Sequence, residues 1–208
     1  ISQLGSVNVN AIEEYVSSKE RFESLTAQNE DLLKAEKDLN RIIEDVTKRM
    51  EAQFKEQFAV INGYFGQTFK ELFGGGRAEL RLENSQDILG SGIEIVAQPP
   101  GKALKTITLL SGGEKAFVAI ALYFAILKVH PTPFCVMDEI EAALDEPNVV
   151  RVANYMRRIT QKTQFIVITH RRGTMEAANV LYGVTMQEDG VSKLLRLDLE
   201  QVDATLVS

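Results

Sequence analysis

A heptad repeat of apolar residues in the first third of the chain limits what this sequence can fold into. Apolar residues recur every seven positions along one seam, at Leu25, Leu32, Leu39 and Val46. A companion seam mixes apolar and polar members, at Phe22, Asn29, Glu36, Ile43 and Met50. This spacing is typical of one strand of a coiled coil. The polar seam positions fit a device that sets the register between paired helices.

The predicted helix is too long to pack along its whole length on its own domain. A helix from about Ile12 to Phe73, ended by the glycine run at 74–76, would be roughly 90 Å long. A domain of ~130 residues is only ~30 Å across. Packing on the chain's own core suits the phenylalanine-rich residues 54–73. For residues 20–50, a partner helix outside this chain is favoured.

The remaining two thirds of the sequence predict an α/β domain. Short apolar or alternating runs predict strands at residues 77–82, 93–97, 134–137, 165–169, 180–186 and 194–199. Helices are predicted at 113–128 and 147–160, the second opened by Pro147. Strands that alternate with helices indicate a layered α/β sheet.

Composition narrows the class of protein further. The net charge is −6, so no basic surface coats nucleic acid, and contacts with DNA must come from local patches. No apolar run approaches the ~20 residues of a membrane span, and no signal peptide opens the chain. The single cysteine, Cys135, lies in an apolar run, which predicts a reduced, buried residue in a cytoplasmic protein.

Three polar residues follow two of the predicted strands. Asp138 and Glu139 come directly after residues 134–137, and His170 ends the run at 165–169. In open α/β sheets, ligand-binding groups lie at the carboxyl ends of strands. At such a place an Asp can hold Mg²⁺, and an adjacent carboxylate can polarise the water that attacks a γ-phosphate. The histidine can donate a hydrogen bond to phosphate or to that water.

A second group of residues is suited to bind phosphate. Ser111, Gly112 and Gly113 open a predicted helix, whose free N–H groups and positive end favour an anion. Asp145 is a turn carboxylate suited to communication between two sites. The Gly-x-x-x-x-Gly-Lys-Ser/Thr loop that holds nucleotide phosphates is absent, since Ala103 follows the only Gly-Lys pair.

Each feature also has a plainer interpretation. The Ser-Gly-Gly segment could be only a helix cap, Asp138-Glu139 a solvated strand end, and His170 a structural residue. Glu141 is expected to be no more than a solvated residue. In series, however, the features favour ATP hydrolysis by an assembled protein.

These residues resemble the motifs of ABC-type ATPases. Residues 110–114 resemble the signature motif, 134–139 the Walker B strand, 143–145 the D-loop, and His170 the switch histidine. Segments 72–80, 97–102, 138–146, 163–170 and 181–187 look like the C-terminal head half of a bacterial SMC chromosome-condensation protein. The implied fold is α/β, an ABC-type ATPase head C-terminal lobe at 74–208 preceded by a long coiled-coil helix at 1–73.

The resemblance implies roles for the site residues. Glu139, His170 and Asp145 would be catalytic, and Asp138 would hold Mg²⁺. The signature residues would bind ATP of the opposite head, and they are Leu110, Ser111, Gly112, Gly113 and Glu114.

The resemblance also implies cofactors, partners and location. ATP and Mg²⁺ are the implied cofactors. The implied partners are the N-terminal head half of the same protein, a second SMC head in a homodimer, a kleisin subunit and DNA, with no membrane. The implied location is cytoplasmic and nucleoid-associated.

Two rival functions stay open at the level of sequence. One is the head half of a related coiled-coil ATPase of double-strand-break repair, or of another recombination-type relative, which segments 72–80 and 97–102 disfavour. The other is a non-catalytic docking module that supplies only a coil and a binding surface.

Overall fold

A computed structural model describes residues 10–186 and 190–199 of the chain. The chain divides into two compact units, Ile1–Phe54 and Lys55–Ser208. Within the described residues, no helix combines the length and the apolar character that a membrane span requires.

Helix α1, Ala11–Phe73, is a single helix that begins one residue before the predicted start and ends at the predicted residue. In the first unit its heptad positions are exposed: the side chains named above as apolar seam members have between 48% (Val46) and 70% (Phe22) of their surface accessible. Glu13 and Glu14 in its first turn and Lys70 in its last turn complement the helix dipole.

The last turns of α1 belong to the core of the second unit. Phe65, Phe69 and Leu72 are fully or almost fully buried. The Thr68 hydroxyl is 3.2 Å from the hydroxyl of Tyr155, which satisfies two buried polar groups. Burial here follows from the broad apolar stripe that phenylalanines give this end of the helix.

An antiparallel sheet follows the glycine turn after α1. Strand β1 is Arg77–Leu82, β2 is Ile93–Gln98 and β3 is the two-residue Lys105–Thr106. The sheet order is β1-β2-β3, with Leu80 opposite Ile95. The predicted strands at 77–82 and 93–97 are confirmed, and β3 was too short for its pattern to be recognised in the sequence.

Helices and two parallel strands follow. A short 3₁₀ helix, Ile107–Leu109, leads to helix α2, Gly112–Val129. Strand β4 is Phe134–Asp138, helix α3 is Glu146–Ile159, strand β5 is Gln164–Ile168 and helix α4 is Arg172–Met175. The core is formed by α2 and α3 against the end of α1, around residues that include Phe117, Phe124, Val149 and Tyr155. Cys135 is buried, as predicted.

The hairpin of β6, Val180–Met186, and β7, Ser192–Asp198, completes the described fold. Its strands are antiparallel, with Gly183 opposite Leu195. Both strands were predicted, the second with bounds displaced by one or two residues.

The expectation of one layered sheet is wrong for this chain taken alone. The described strands form three separate sheets, and only β4 and β5 are paired in parallel. The predicted alternation of strands and helices exists around β4 and β5. The other strands join as antiparallel neighbours in the chain, because short connections allow antiparallel pairing whereas parallel pairing needs a crossover.

Candidate functional site

Two polar side chains meet at the carboxyl ends of neighbouring parallel strands. The register pairs Asp138 of β4 with Ile168 of β5, so the residues that follow each strand emerge at one edge of the sheet. There the Nδ1 atom of His170 is 3.2 Å from the Oε1 atom of Glu139. Both side chains are more than half exposed, so a ligand at this edge can reach them.

Glu139 has an unusual backbone conformation. Among the described residues it is the one non-glycine residue with a positive φ, at 47°. Its N–H donates to the carbonyl of Ile168 at 2.9 Å, which extends the β4–β5 pairing by one bond. A left-handed conformation costs a residue with a Cβ about 1–2 kcal/mol. Strain of this kind is concentrated at functional sites.

Asp138 is exposed at the last position of β4, directly before the strained residue. In the part of the chain that the structure describes, no three His, Cys, Asp or Glu side chains are grouped to hold a metal ion by themselves. A single carboxylate nevertheless fits Mg²⁺ that arrives with a nucleotide, because that ion is usually bound through one or two carboxylates plus phosphate oxygens and water.

Asp145 caps the helix that follows the turn. Its Oδ1 accepts a hydrogen bond of 3.1 Å from the N–H of Asn148 in the first turn of α3, with Pro147 at the start of the helix. This satisfies one of the helix's free N–H groups. The cap uses one carboxylate oxygen. Because Asp145 is exposed, the other oxygen is accessible to another ligand or chain.

A buried network behind the strand ends was not found from the sequence. Glu141 is only 2% exposed, so its expected solvation is wrong. Its Oε1 accepts from the hydroxyls of Thr169 and Thr174, the latter at 2.8 Å, while Oε2 is buried with no hydrogen-bond partner among the described residues. A turn carboxylate looks solvated in sequence because nothing local shows that β5 and α4 enclose it.

Arg171, next to the histidine, reaches the turn before α3. Its guanidinium donates to the carbonyl of Leu144 at 3.0 Å and lies 3.2 Å from a carboxylate oxygen of Glu146. Its backbone N–H donates to the Thr169 hydroxyl. The residues that flank His170 are therefore tied to the turn that carries Asp145. No local pattern distinguishes this arginine from the exposed ones.

The start of α2 holds a second polar group. The carboxylate of Glu114 accepts from the N–H of Ser111 at 3.1 Å and from its hydroxyl at 2.7 Å. Lys102 donates to the same carboxylate at 2.8 Å. The hydrogen bond from Lys102, followed by those from Ser111, lowers the pKa of Glu114 from 4.5 to about 2. Glu114 is therefore ionised at neutral pH.

The helix start approaches the turn between β4 and α3. A Cβ added to Gly113 would be 3.0 Å from the carbonyl oxygen of Ala143, whereas one added to Gly112 would meet nothing within 4 Å. Leu110, just before the helix, is buried. Only the second glycine of the pair is thus required by packing within this chain.

The structure gathers the predicted site residues into two groups. Asp138, Glu139 and His170 share the β4–β5 edge, and Asp145 is linked to it through the network of Glu141 and Arg171. Ser111 is bonded instead to Glu114 at the start of α2. The arrangement supplies a carboxylate and an imidazole at one ligand-accessible edge, and the first turn of α2 at a second position.

The sequence matches a known family along most of its length. Residues 7–193 match the family described as RecF/RecN/SMC N terminal domain. The chain is 56% identical over 201 residues to the chromosome partition protein Smc of Bacillus subtilis (strain 168), covering 97% of this chain and 17% of that protein. It is 54% identical over 200 residues to the Smc protein of Desulfitobacterium hafniense (strain Y51), covering 96% of this chain and 17% of the relative.

Solved structures agree with the sequence relatives. One, from a study of ATP-driven dimerization and DNA stimulated activation of SMC ATPases, is 43% identical with a TM-score of 0.68, covering 76% of this chain and 94% of that one. Another is the Smc head domain with an extended coiled coil, bound to the C-terminal domain of ScpA, from Pyrococcus furiosus. It is 39% identical with a TM-score of 0.72, covering 94% of this chain and 48% of that one.

Proposed function

The chain belongs to the RecF/RecN/SMC family, and from that premise we propose that it is the C-terminal half of an SMC ATPase head with the coiled-coil strand that precedes it in sequence. The domains would be 1–73, coil and neck, and 74–208, head. The assembled protein would hydrolyse ATP in chromosome condensation and segregation, as the naming of its relatives as chromosome partition proteins suggests. Such a protein acts in the cytoplasm, at the nucleoid.

The order of motifs supports the C-terminal half, although the matched family is described as an N terminal domain. Residues 110–114, 134–139, 143–145 and His170 follow one another here, and no phosphate-binding Gly-x-x-x-x-Gly-Lys-Ser/Thr loop accompanies them in the 208 residues. A complete head needs that loop, so a second segment of the protein must supply it.

One face of the β4–β5 pair is apolar and exposed, which indicates that another part of the protein covers it. Alternate apolar side chains on one face are between 47% and 60% exposed, and they are Phe134, Val136, Ile166 and Ile168. Parallel strands are nearly always covered on both faces, whereas this pair is covered on one. We assign the exposed face to the N-terminal head half, which would add neighbouring strands and place its phosphate-binding loop beside Asp138 and Glu139.

The strand-end residues would carry the chemistry. Glu139, held by its strained backbone, would act as general base for the attacking water, and His170 would donate to the γ-phosphate or orient that water. When bound through Asp138, Mg²⁺ would neutralise charge on the β- and γ-phosphates. The hydrogen bond between Glu139 and His170 keeps both groups aimed at the same edge before ligand arrives.

The signature residues would act on the ATP of a second head in the homodimer. Gly112 and Gly113 lie in the first turn of α2, where backbone N–H groups lack intrahelical partners and the helix end is positive. ATP would then lie between two heads, and its hydrolysis would release them. Asp145, in the turn beside Gly113, would communicate between the two sites.

Further partners follow from exposed apolar surfaces and from the relatives. The exposed heptad seam of α1 is assigned to an antiparallel helix of the same protein. A kleisin subunit is proposed because two similar Smc heads were solved with ScpA domains. DNA is proposed as the substrate that the ATP cycle acts on.

The pair of Glu139 and His170 at one parallel sheet edge is the observation that carries this proposal. Its test is co-expression with the N-terminal head half of the same gene. ATPase activity that appears only in the complex, and is lost in the Glu139→Gln complex, would support it. The chain alone should bind ATP very weakly, and micromolar affinity in calorimetry would refute the half-site. A stable complex without ATPase activity would favour the docking-module alternative.

A further inference from the structure

An acidic side chain lies where a phosphate is proposed to bind. Glu114 is in the first turn of α2, and only 19% of its side chain is exposed. Its carboxylate is fixed by two hydrogen bonds from Ser111. A fixed negative charge beside a polyphosphate is repulsive, so this helix start would oppose the ligand it is proposed to receive.

A lysine from another segment is positioned to cancel that charge. The Nζ atom of Lys102 is 2.8 Å from Oε1 of Glu114. Its backbone is held by a turn: its N–H donates to the carbonyl of Pro99 at 3.1 Å, and its carbonyl accepts from the Gln98 side chain at 2.9 Å. Gly101, with φ of +74°, allows that turn. The lysine is therefore presented to Glu114 by its backbone, although its own side chain is 59% exposed.

We propose that Lys102 is a positioning residue for the signature segment: it neutralises Glu114, so that Glu114 can hold Ser111 in place without repelling the phosphate of the opposite head. The proposal rests on the proposed function, since it takes the start of α2 as the phosphate-facing surface. The low pKa of Glu114 agrees with this role, because the carboxylate does not escape its charge by taking a proton near neutral pH.

Substitutions of Lys102 and Glu114, alone and together, should have different effects if charge compensation is what matters. Lys102→Ala should leave Glu114 uncompensated and weaken ATP-dependent engagement of two heads by about tenfold. Lys102→Arg keeps the charge and should engage normally. Lys102→Ala combined with Glu114→Gln removes both charges, keeps an acceptor for Ser111, and should restore engagement to within about threefold of the parent.

The experiment uses the full-length protein carrying Glu139→Gln, so that engaged heads accumulate. Engagement is measured by site-specific cross-linking between heads against ATP concentration, and nucleotide binding to unengaged heads is measured separately. Loss of engagement in Lys102→Ala with unchanged nucleotide binding, larger at low than at high salt, would support the proposal, because surface charge effects are screened. A packing role would not respond to salt.

Two results would overturn it. Normal engagement in Lys102→Ala, or a double variant as impaired as the single one, excludes charge compensation. A Ser111→Arg variant in the same assay distinguishes failure of the role given to Lys102 from failure of the proposed function. If that variant also engages normally, the signature segment does not face the second head and the proposed function fails with this one. If only Ser111→Arg fails to engage, the role of Lys102 alone is rejected.

Discussion

The Nδ1 atom of His170 lies 3.2 Å from the Oε1 atom of Glu139, although the two residues are 31 positions apart. They meet because each directly follows, or nearly follows, one strand of a parallel pair. Parallel register places the carboxyl ends of both strands at one edge, so chain order alone does not determine their proximity.

Replacing Glu139 by Gln in the full-length protein should slow ATP hydrolysis by about 100-fold or more, because an amide cannot accept the proton of the attacking water. Heads should stay engaged with ATP, detected by cross-linking, while turnover is measured by phosphate release. Glu176→Gln is a matched control, since Glu176 is exposed and its carboxylate accepts from Arg172, a neighbour on the same short stretch of chain. Normal turnover in Glu139→Gln would rule out the general-base role.

Replacing Ser111 by Arg should abolish head engagement and leave nucleotide binding to a single head intact. The side chain adds bulk and charge at a helix start that is proposed to approach phosphate closely. Equilibrium binding of a fluorescent ATP analogue and cross-linking between heads separate the two effects. Loss of nucleotide binding itself would show that the signature segment serves the ATP of its own head.

The two glycines at the start of α2 should respond differently to alanine. Gly113→Ala places a Cβ 3.0 Å from the Ala143 carbonyl and should lower the free energy of unfolding of the 208-residue chain by about 1–3 kcal/mol. Gly112→Ala meets no atom within 4 Å and should be neutral or slightly stabilising. Urea denaturation measures both variants. Equal destabilisation would show that Gly113 does not pack against the turn.

The pH dependence of stability should reveal the bonds to Glu114. Its pKa is lowered from 4.5 to about 2 in the folded chain, so the stabilisation that its charged form provides is complete above about pH 4.5 and is lost as the pH falls toward 2. The Glu114→Gln variant has no carboxylate at this position to take up a proton. The difference in unfolding free energy between wild type and Glu114→Gln should therefore be constant from pH 6 to 8.

Below about pH 4.5 that difference should shrink, which thermal unfolding at several pH values can follow. Lys102→Ala removes the largest cause of the lowered pKa of Glu114, so the pKa in the folded chain should rise toward its usual value. The stabilisation should then be lost over a narrower pH range, whose lower limit is higher than in the wild type. A difference that grows on acidification would contradict the ion pair with Lys102.

Much of the local architecture was predictable because it depends on short-range patterns. The bounds of α1, the two parallel strands and the helix opened by Pro147 follow from periodicity, apolar runs and capping residues. The positions of Asp138, Glu139 and His170 at strand ends follow from the same patterns. Strand β3 and helix α4 were not predicted, because two and four residues are too few to show a periodic pattern.

What the sequence by itself determined is therefore the order and type of the longer elements, the heptad seam of α1 and the lack of a phosphate-binding loop within the 208 residues. Only the tertiary structure decided that Glu141 is buried, that Glu139 adopts a left-handed backbone, and that Lys102 forms an ion pair with Glu114. The physical reason is that periodicity and capping act within a few residues, whereas burial, strain and ion pairing depend on segments brought together from distant positions.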